Sequence, residues 1–533
     1  MKSIVSCLLV SLLWHIGYNQ YTFVKQWDKR YGGTKDEGNP VLLHTTDGGY
    51  LVGGYSLSDI SGDKTENNRN NALTTEDFWV VKLDATGNKL WDKRFGTSGG
   101  DNLRAVIPTN DGSYLLGGSS DGGAGGDKTQ STQGNADYWI VKIDSHGNKL
   151  WDKRYGGSGA DGFYCMQQTT DGGYILGGAS VSGISGDKTQ ENWDLSHFYA
   201  DIWIVKIDSA GNKLWDKRLG GTDDDYALDI KQTKDGGYII GGMSYSRIGG
   251  DKTQDNFDTL NPLTSDVWIV KIDSIGNKQW DKTLGTPYND KMDYVEELSD
   301  GGYMLAGGGF KIIKTDSLGN QTWEQYFDGG AYFSSFSITN DKGYLFGGYT
   351  SQNIVGDKTE SNLGYQQSWI VKADSSGNKQ WDKTIFTNSI LHNDWDGFVV
   401  QSNDGCYLVA NTSEADIGGY KSQAAWDSSL DFFVVKFCMD TVTSINELSN
   451  QPQISVYPNP FNSEVSISLQ KENLHQATFT ITNSLGQIIY QRAENNLSQG
   501  YTKMLDLRYL PKGLYFITVE ADGERVVRRV VKE

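Results

Sequence analysis

Few residues in this chain are placed to do chemistry. The histidines are His15, His44, His146, His197, His392 and His475. No two fall at the short spacing that brings a pair of imidazoles onto one metal, and no Cys-x-x-Cys accompanies them. There is no phosphate loop, no Asp-x-Asp-x-Asp-Gly calcium loop and no strand-turn-helix elbow for a nucleophilic serine. What recurs is aspartate. A Gly-Asp-Lys-Thr string sets Asp63, Asp127, Asp187, Asp251 and Asp357 at matching places, and a second group comprises Asp36, Asp101, Asp161, Asp223, Asp224, Asp225 and Asp290. Carboxylates repeated on one face could coordinate calcium or accept hydrogen bonds from sugar hydroxyls. They could equally lock their own loops by accepting backbone N–H groups, which is the plainer reading. No cofactor is expected, and calcium is the candidate metal for such oxygen donors.

The aspartates are positioned by a repeat, and the repeat governs the fold. Three anchors each occur seven times. Asp-Gly-Gly-Tyr-type turns end at Tyr50, Tyr114, Tyr174, Tyr238, Tyr303, Tyr344 and Tyr407. Trp-Ile-Val-Lys-type strands carry Trp79, Trp139, Trp203, Trp268, Phe310, Trp369 and Phe433. Trp-Asp-Lys-Arg-type strands carry Trp27, Trp91, Trp151, Trp215, Trp280, Trp323 and Trp381. Each unit reads as four strands, in one unit near Ala105–Thr109, Tyr114–Gly118, Tyr138–Asp144 and Lys149–Tyr155. Asp-Gly turns join the first two, and Asp-Ser-x-Gly-Asn turns join the last two. Four antiparallel strands without helix signals describe a propeller blade.

The chain opens on a lone fourth strand, Phe23–Tyr31, and the repeat finishes on a first, second and third strand without a fourth. Six whole blades and one split blade make a closed seven-bladed β-propeller over residues 21–438, without the exposed edges of an open array. Blade 5 lacks the long loop, because Gly307-Gly308-Gly309 runs straight into Phe310. Both tight hairpins of a blade fall on one face, so the aspartate loops fall on the other, where binding usually sits. An enzyme would place blade-specific polar residues around the central funnel, and a scaffold would place equivalent ones; the sequence shows mostly the second pattern. The Trp-Asp-Lys-Arg tryptophans are expected to pack between blades. Their strand resembles the tryptophan repeat of quinoprotein dehydrogenases, without a cofactor-binding set that breaks the symmetry.

Export and charge narrow the setting. Residues 1–20 combine Lys2, an apolar run from Ile4 to Ile16 and a polar end, the pattern of a secretory signal peptide. Cys7 lies near the start of the apolar run rather than after it, which argues against lipidation. The net charge of −19 disfavours nucleic acid and anionic membranes as partners. Export permits disulfides. Cys406 begins the second strand of the last blade and Cys438 ends its third, and antiparallel neighbours bring such positions together. These two are expected to bridge, leaving Cys165 a buried free thiol.

Residues 439–452 read as a linker. Residues 453–533 hold nine basic and eight acidic residues, so the propeller carries nearly all the negative charge. Six or seven short alternating strands in this tail suggest a small Ig-like β-sandwich. Its residues resemble the C-terminal sorting domain (type A) of cargo for the type IX secretion system of Bacteroidota. The resemblance is carried by Val456-Tyr457-Pro458-Asn459-Pro460, Asn483 to Gln487, Leu510-Pro511-Lys512-Gly513-Leu514-Tyr515 and Arg528-Arg529-Val530-Val531-Lys532. It implies outer-membrane translocation, with the secretion machinery as partner through Pro458, Asn459, Pro460, Gly513, Tyr515, Arg528, Arg529 and Lys532. It also implies that the mature protein is attached to the surface or released. The repeats resemble secreted seven-bladed propellers of the same bacteria. The chain thus reads as an all-β secreted or cell-surface scaffold or binding protein for a glycan or adhesion target. The alternative is an extracellular hydrolase or lyase acting on polysaccharide.

Overall fold

A computed structural model describes residues 22–440 apart from 71–74, 259–263 and 389–393. In the tail it describes residues 453–532 apart from 459, 471–474, 484–486, 496, 498–500 and 522–523. The signal segment, most of the linker, and Asn459 lie outside the described residues. The described chain is strand and loop without an α-helix, so no helix in it could cross a membrane. It divides into two compact units, Met1–Asp440 and Thr441–Glu533.

The first unit is built from seven four-stranded antiparallel sheets. Six follow chain order. In the seventh the order is Thr22–Tyr31, Asp431–Asp440, Tyr407–Ser413, Asp394–Gln401. The N-terminal strand therefore supplies the last blade's outer strand, pairing from Thr22↔Asp440 to Tyr31↔Phe432.

The third strands show why the blades ring up. Asp137–Ile143 is buried at every residue, because both faces of a blade are covered by neighbours. Trp139, Val141 and Ile143 join a core with Phe78 and Val80 of blade 1. Tyr138 and Ile140, on the opposite pleat, join another with Tyr174 and Trp203 of blade 3. The same rule yields a core for every adjacent pair, including blades 6 and 7 and blades 7 and 1, where Tyr31 and Phe432 meet Tyr50 and Trp79. Alternation that would give one dry and one wet face in an open sheet here feeds two cores.

The Trp-Asp-Lys-Arg tryptophans do lie between blades. Trp91 packs on the Asp144–Asn148 hairpin of blade 2, at Gly147 (φ 82°). A Cβ there would meet the Trp91 ring at 3.1 Å and Lys93 Cγ at 2.7 Å, so the glycine serves both the left-handed turn and the close approach.

Two features differ from the sequence expectation. First strands begin about four residues earlier than Ala105 suggests: blade 2 runs Asp101–Pro108. The repeat's clear alternation starts only after a bulge between Leu103 and Ala105, which hides the strand's beginning. Asp101, Asp161 and Asp225 therefore open strands and are buried, rather than riding in loops. In addition, the last blade's third strand continues to Asp440.

Cys406 and Cys438 form a disulfide with Cα atoms 4.3 Å apart. It ties positions 32 residues apart, for which loop-closure entropy suggests about 3–4 kcal/mol. Cys165 is free and buried.

The tail is a two-sheet sandwich, Gln453–Tyr457, Glu464–Gln470 and Thr502–Asp506 in one sheet and Gln476–Asn483, Ile488–Asn495, Gly513–Ala521 and Glu524–Lys532 in the other. Val465, Ile467 and Leu505 meet Phe479, Ile481, Ile517 and Val530 in its core.

Candidate functional site

The Gly-Asp-Lys-Thr loops are held on every side. Thr129 donates its backbone N–H to Asp152 Oδ2 at 2.8 Å, and Trp139 Nε1 donates to the same oxygen at 3.2 Å. Asp152 is the aspartate of Trp-Asp-Lys-Arg, so that strand ties down its own blade's loop. The loop lysines are buried. Lys252 Nζ donates to Ser244 Oγ at 3.0 Å and to the Ser246 carbonyl at 2.9 Å, and desolvation pulls its pKa down to about 8.

The loop aspartates face the previous blade. Arg154 Nη1 lies 2.7 Å from Asp187 Oδ2, and Arg218 Nη1 2.5 Å from Asp251 Oδ2. Arg94 pairs with Asp127 in the same way, and Arg30 Nη2 lies 3.6 Å from Asp63. The sequence itself carries the covariation that could have revealed this. Arginine stands next to last in the fourth strand wherever the next blade offers Gly-Asp-Lys-Thr after a whole repeat. Where the residue is Thr283 the next blade has lost the loop, and where it is Thr384 the next blade has Tyr420 in the aspartate's place. Asp357 follows the divergent blade 5 and instead accepts the Asp328 N–H at 2.9 Å. The five aspartates thus lie one per blade, around the ring rather than together, and among the described residues no three His, Cys, Asp or Glu side chains gather to hold a metal.

Beneath the loops of blades 1 to 4 sit two buried carboxyls, whereas blade 6 has Gln367 in the place of Asp137. Desolvation raises Asp101 and Asp225 to about 7 and Asp137 and Asp266 to about 6. Their oxygens accept loop N–H groups: Gly221 N–H reaches Asp225 at 2.8 Å and Gln133 N–H reaches Asp137 at 2.9 Å. Two Gly-x-Ser-x-Gly strings, Gly96–Gly100 and Gly118–Gly122, match a hydrolase motif in letters, but no helix follows either.

The axis is different. The first strands surround a channel, and those of blades 1, 2, 4, 5, 6 and 7 line a cavity of about 340 Å³ there, at the lower end of the range of small-ligand sites. One side is charged and comes from blades 4 and 5. Asp229 accepts Lys231 Nζ at 2.6 and 2.8 Å and the Val295 N–H at 3.1 Å. Lys231 Nζ sits 5.4 Å from the centre of the Tyr294 ring, and Tyr294 Oη donates to Glu296 at 3.0 Å. Asp293 Oδ2 is buried without a hydrogen-bond partner among the described residues. The opposite side is apolar, with Phe333, Phe336, Phe398, Leu42 and Val106.

At the position of Asp229 the other blades carry Val41, Ala105, Cys165, Tyr294, Ser335 and Phe398. The funnel is therefore blade-specific, contrary to the sequence expectation. A reading anchored on repeated residues passes over the one strand that does not repeat. Burial pushes the Tyr294 hydroxyl far above its ordinary range, with Glu296 and Asp229 adding to the shift. Desolvation acts to lower Lys231, but the carboxylates outweigh it and its pKa is raised. Burial also raises Glu296, against the pull of Lys231. Burial raises the Cys165 thiol well above its usual range.

In the tail, Tyr515 donates to the Pro511 carbonyl at 2.8 Å. Lys532 is buried, giving 2.6 Å to the Leu507 carbonyl and 3.1 Å to that of Arg508. Gly513 opens the Gly513–Ala521 strand, Arg528 is exposed on the last strand, and Pro458 follows the strand ending at Tyr457.

Residues 455–533 match the family described as the secretion system C-terminal sorting domain. The tail is thus a type IX sorting domain, and the chain is cargo exported to the cell surface or secreted. A 165-residue stretch is 26% identical to the regulatory protein FlaEY of Caulobacter vibrioides, covering 28% of this chain and 17% of that protein. The chain therefore matches well under two thirds of that relative's length. Among solved structures, streptogramin B lyase aligns over 79% of this chain and 99% of its own at 12% identity and a TM-score of 0.42. BamB from Moraxella catarrhalis aligns over 78% and 99% at 11% identity and 0.35. The C-terminal WD40 domain of Sif2 aligns over 76% and 99% at 12% identity and 0.38. The seven-bladed architecture stands on the sheets themselves.

Proposed function

We propose that the protein is an extracellular binding protein, delivered by the type IX route, that holds a glycan or adhesion target on the propeller axis. The observation that supports this is the break in symmetry: loops, hairpins and outer strands repeat, while the channel wall differs blade by blade. Such a wall, charged on one side and aromatic on the other, suits a ligand with distinct polar and apolar faces. Binding is favoured over base catalysis because Lys231 and Tyr294 both stay protonated at neutral pH. The hydrolase or lyase reading keeps one supporting feature, the carboxyl of Glu296 beside Tyr294, raised by burial as a general acid's must be.

The loop aspartates are already paired, so binding is calcium-independent in this proposal. The mature chain, run on an array of neutral and acidic glycans with calcium and with chelator, should give the same positives in both. Lys231→Met should then weaken those positives at least tenfold. Release of new reducing ends from a polysaccharide substrate would favour the enzyme reading. Positives unaffected by Lys231→Met would remove the channel as the seat.

A further inference from the structure

The mouth of the channel on the loop face carries a second feature. Tyr332, near the start of the first strand of blade 6, pairs with Tyr349 across the ladder, and their rings stack at 5.1 Å and 21°. Trp395 in the first strand of blade 7 extends the stack, 6.5 Å from Tyr349 and 17° off parallel. These rings do not serve a core: Tyr332 is 61% exposed and Trp395 48%. The strands that carry them run directly into the cavity wall, at Phe333–Phe336 and at Phe398. A row of exposed parallel rings at the opening of a cavity is apolar area that the fold itself leaves in water.

Beside the stack stands Asp396. In blades 2, 3, 4 and 6 the first strand skips one residue at its bulge, but in blades 1 and 7 it skips two. The longer bulges put Asn39 at φ 50° and Asp396 at φ 70°. Left-handed backbone at a non-glycine residue is strained, and such strain collects at functional sites. Asp396 is half-buried, and its carboxylate accepts no hydrogen bond from another described residue. Burial raises it to about 6, with the Arg104 guanidinium the opposing charge. Arg104 is exposed and also lies within electrostatic reach of Tyr55 and Tyr164. On the adjoining arc Asn39 Nδ2 donates to Asn102 Oδ1 at 3.1 Å.

We propose that this mouth is a saccharide subsite in which Trp395 and Tyr332 stack on the C–H faces of pyranose rings while Asp396 and Arg104 bind their hydroxyls. Flat aromatic faces beside a planar carboxylate and a guanidinium fork match a sugar, whose ring faces are apolar and whose rim is polar. A peptide would ask instead for side-chain pockets along a strand edge, whereas this mouth presents flat, exposed ring faces. The net charge of −19 selects neutral glycans over uronates or sulfated chains. The subsite deepens the reading given above and rests on it for the ligand class, but it uses different residues.

The test is calorimetric titration of the mature full-length chain with cellohexaose, xylohexaose, mannohexaose and laminarihexaose, and with hexagalacturonate as the anionic control. At least one neutral hexasaccharide should bind, and hexagalacturonate should bind at least tenfold more weakly. Trp395→Ala and Tyr332→Ala should each weaken binding at least tenfold without lowering the melting temperature. Asp396→Gly should weaken binding similarly while leaving the melting temperature equal or higher, because glycine relaxes the left-handed position; a structural aspartate would lower it. Failure of every neutral probe at millimolar concentration overturns the subsite, as does binding by a protein partner alone. Saccharide binding lost in Lys231→Met but intact in Trp395→Ala and Tyr332→Ala also overturns it, and leaves the channel as seat. Binding lost in the mouth variants but intact in Lys231→Met supports the subsite and removes the channel.

Discussion

The Gly-Asp-Lys-Thr loops and the first strands belong to the same blades, yet the loops are nearly copies and the strands are not. In the loops the three repeated residues are partnered within the protein: the lysine is buried and hydrogen-bonded to its own loop, the threonine caps Asp152 or its equivalent, and in blades 1 to 4 the aspartate takes the previous blade's arginine. Repetition there follows from repeated packing. On the axis, blade 4 supplies Asp229 and Lys231 where blade 1 has Val41 and Leu43 and blade 2 has Ala105 and Ile107. A closed ring needs every gap between blades filled alike, but it places no such demand on the residues facing the axis. Conspicuous aspartates therefore mark structure in this molecule, and the least regular strand marks the candidate site.

The largest effect should come from removing a repeated element outright. Deleting Tyr21–Tyr31 strips the last blade of its outer strand and takes Trp27, Arg30 and Tyr31 out of the joint between blades 7 and 1. It leaves the edge of Asp431–Asp440 unpaired. The melting temperature of the purified propeller should fall steeply, or cooperative unfolding should be lost. An unchanged melt would mean that the ring does not depend on its closure.

The next test sets one residue of each region against the other. Arg154→Ala should cost about 3 kcal/mol, because Asp137 and Asp187 lose their shared cation and Asp137 is fully buried. It should leave ligand affinity unchanged. Lys231→Met strips the buried Asp229 of its cation and should also cost stability, but it should differ from Arg154→Ala in a large loss of binding. Denaturant midpoints and titrations on both variants check the contrast, and equal effects on both readouts would dissolve it.

How much of this was legible in the sequence differs between the two regions for the same reason. Seven recurring tyrosines and tryptophans specified blade number, strand order and the split blade, since those anchors fill equivalent gaps. The register of Tyr407 and Phe437 placed Cys406 by Cys438. The tail's Pro-Asn-Pro and Gly-Leu-Tyr strings located the sorting domain. The first strands were misplaced at their starts because the bulge between Leu103 and Ala105 breaks the two-residue alternation. The channel was missed because Asp229, Lys231 and Glu296 are ordinary surface residues by type, and only closure of the ring turns them onto one axis. The arginine–aspartate latch was present in the sequence as a covariation, Arg154 with Asp187 and Thr384 with Tyr420, but it links a strand to a loop in the next repeat. Comparison of equivalent positions cannot expose that pairing.

A gentler perturbation is pH. Asp101, Asp201 and Asp225 are raised to about 7, and Asp77, Asp137 and Asp266 to about 6, all chiefly by desolvation. The unfolded chain holds such groups near 4. Between roughly pH 8 and 5 the folded state therefore binds more protons, and stability should rise as pH falls. Below about 4 the sign reverses. Asp47, Asp171, Asp235 and Asp404 are lowered to about 2 in spite of desolvation, by hydrogen bonds from a buried lysine and a neighbouring hydroxyl. Their stabilisation, complete above the unfolded value, is lost as pH drops toward 2. The melting temperature should peak near pH 5. A monotonic fall from pH 8 downward would mean that the repeated carboxyls stay ionised and are matched by their lysines, and that the loop bases are more polar than described.

The smallest effect should be at Asp357, where the repeated loop lacks its arginine. Its carboxylate accepts the Asp328 N–H at 2.9 Å and stands 4.0 Å from Lys379. Asp187 in the equivalent place accepts Arg154 at 2.7 Å and the Gly156 N–H at 3.3 Å. Asp357→Asn should cost under about 1 kcal/mol, the net value of an ordinary hydrogen bond, whereas Asp187→Asn should cost about 1.5–3 kcal/mol because it weakens bonds from a charged donor. Millimolar calcium should leave the melting temperatures of wild type and both variants unchanged. A ligand bound only by the folded state raises stability in proportion to the logarithm of its concentration over its dissociation constant. A calcium-dependent rise abolished by Asp187→Asn would therefore show that the carboxylates serve a cation rather than the neighbouring arginine. The contrast between repeated structure and unrepeated site would then have to be drawn elsewhere in the molecule.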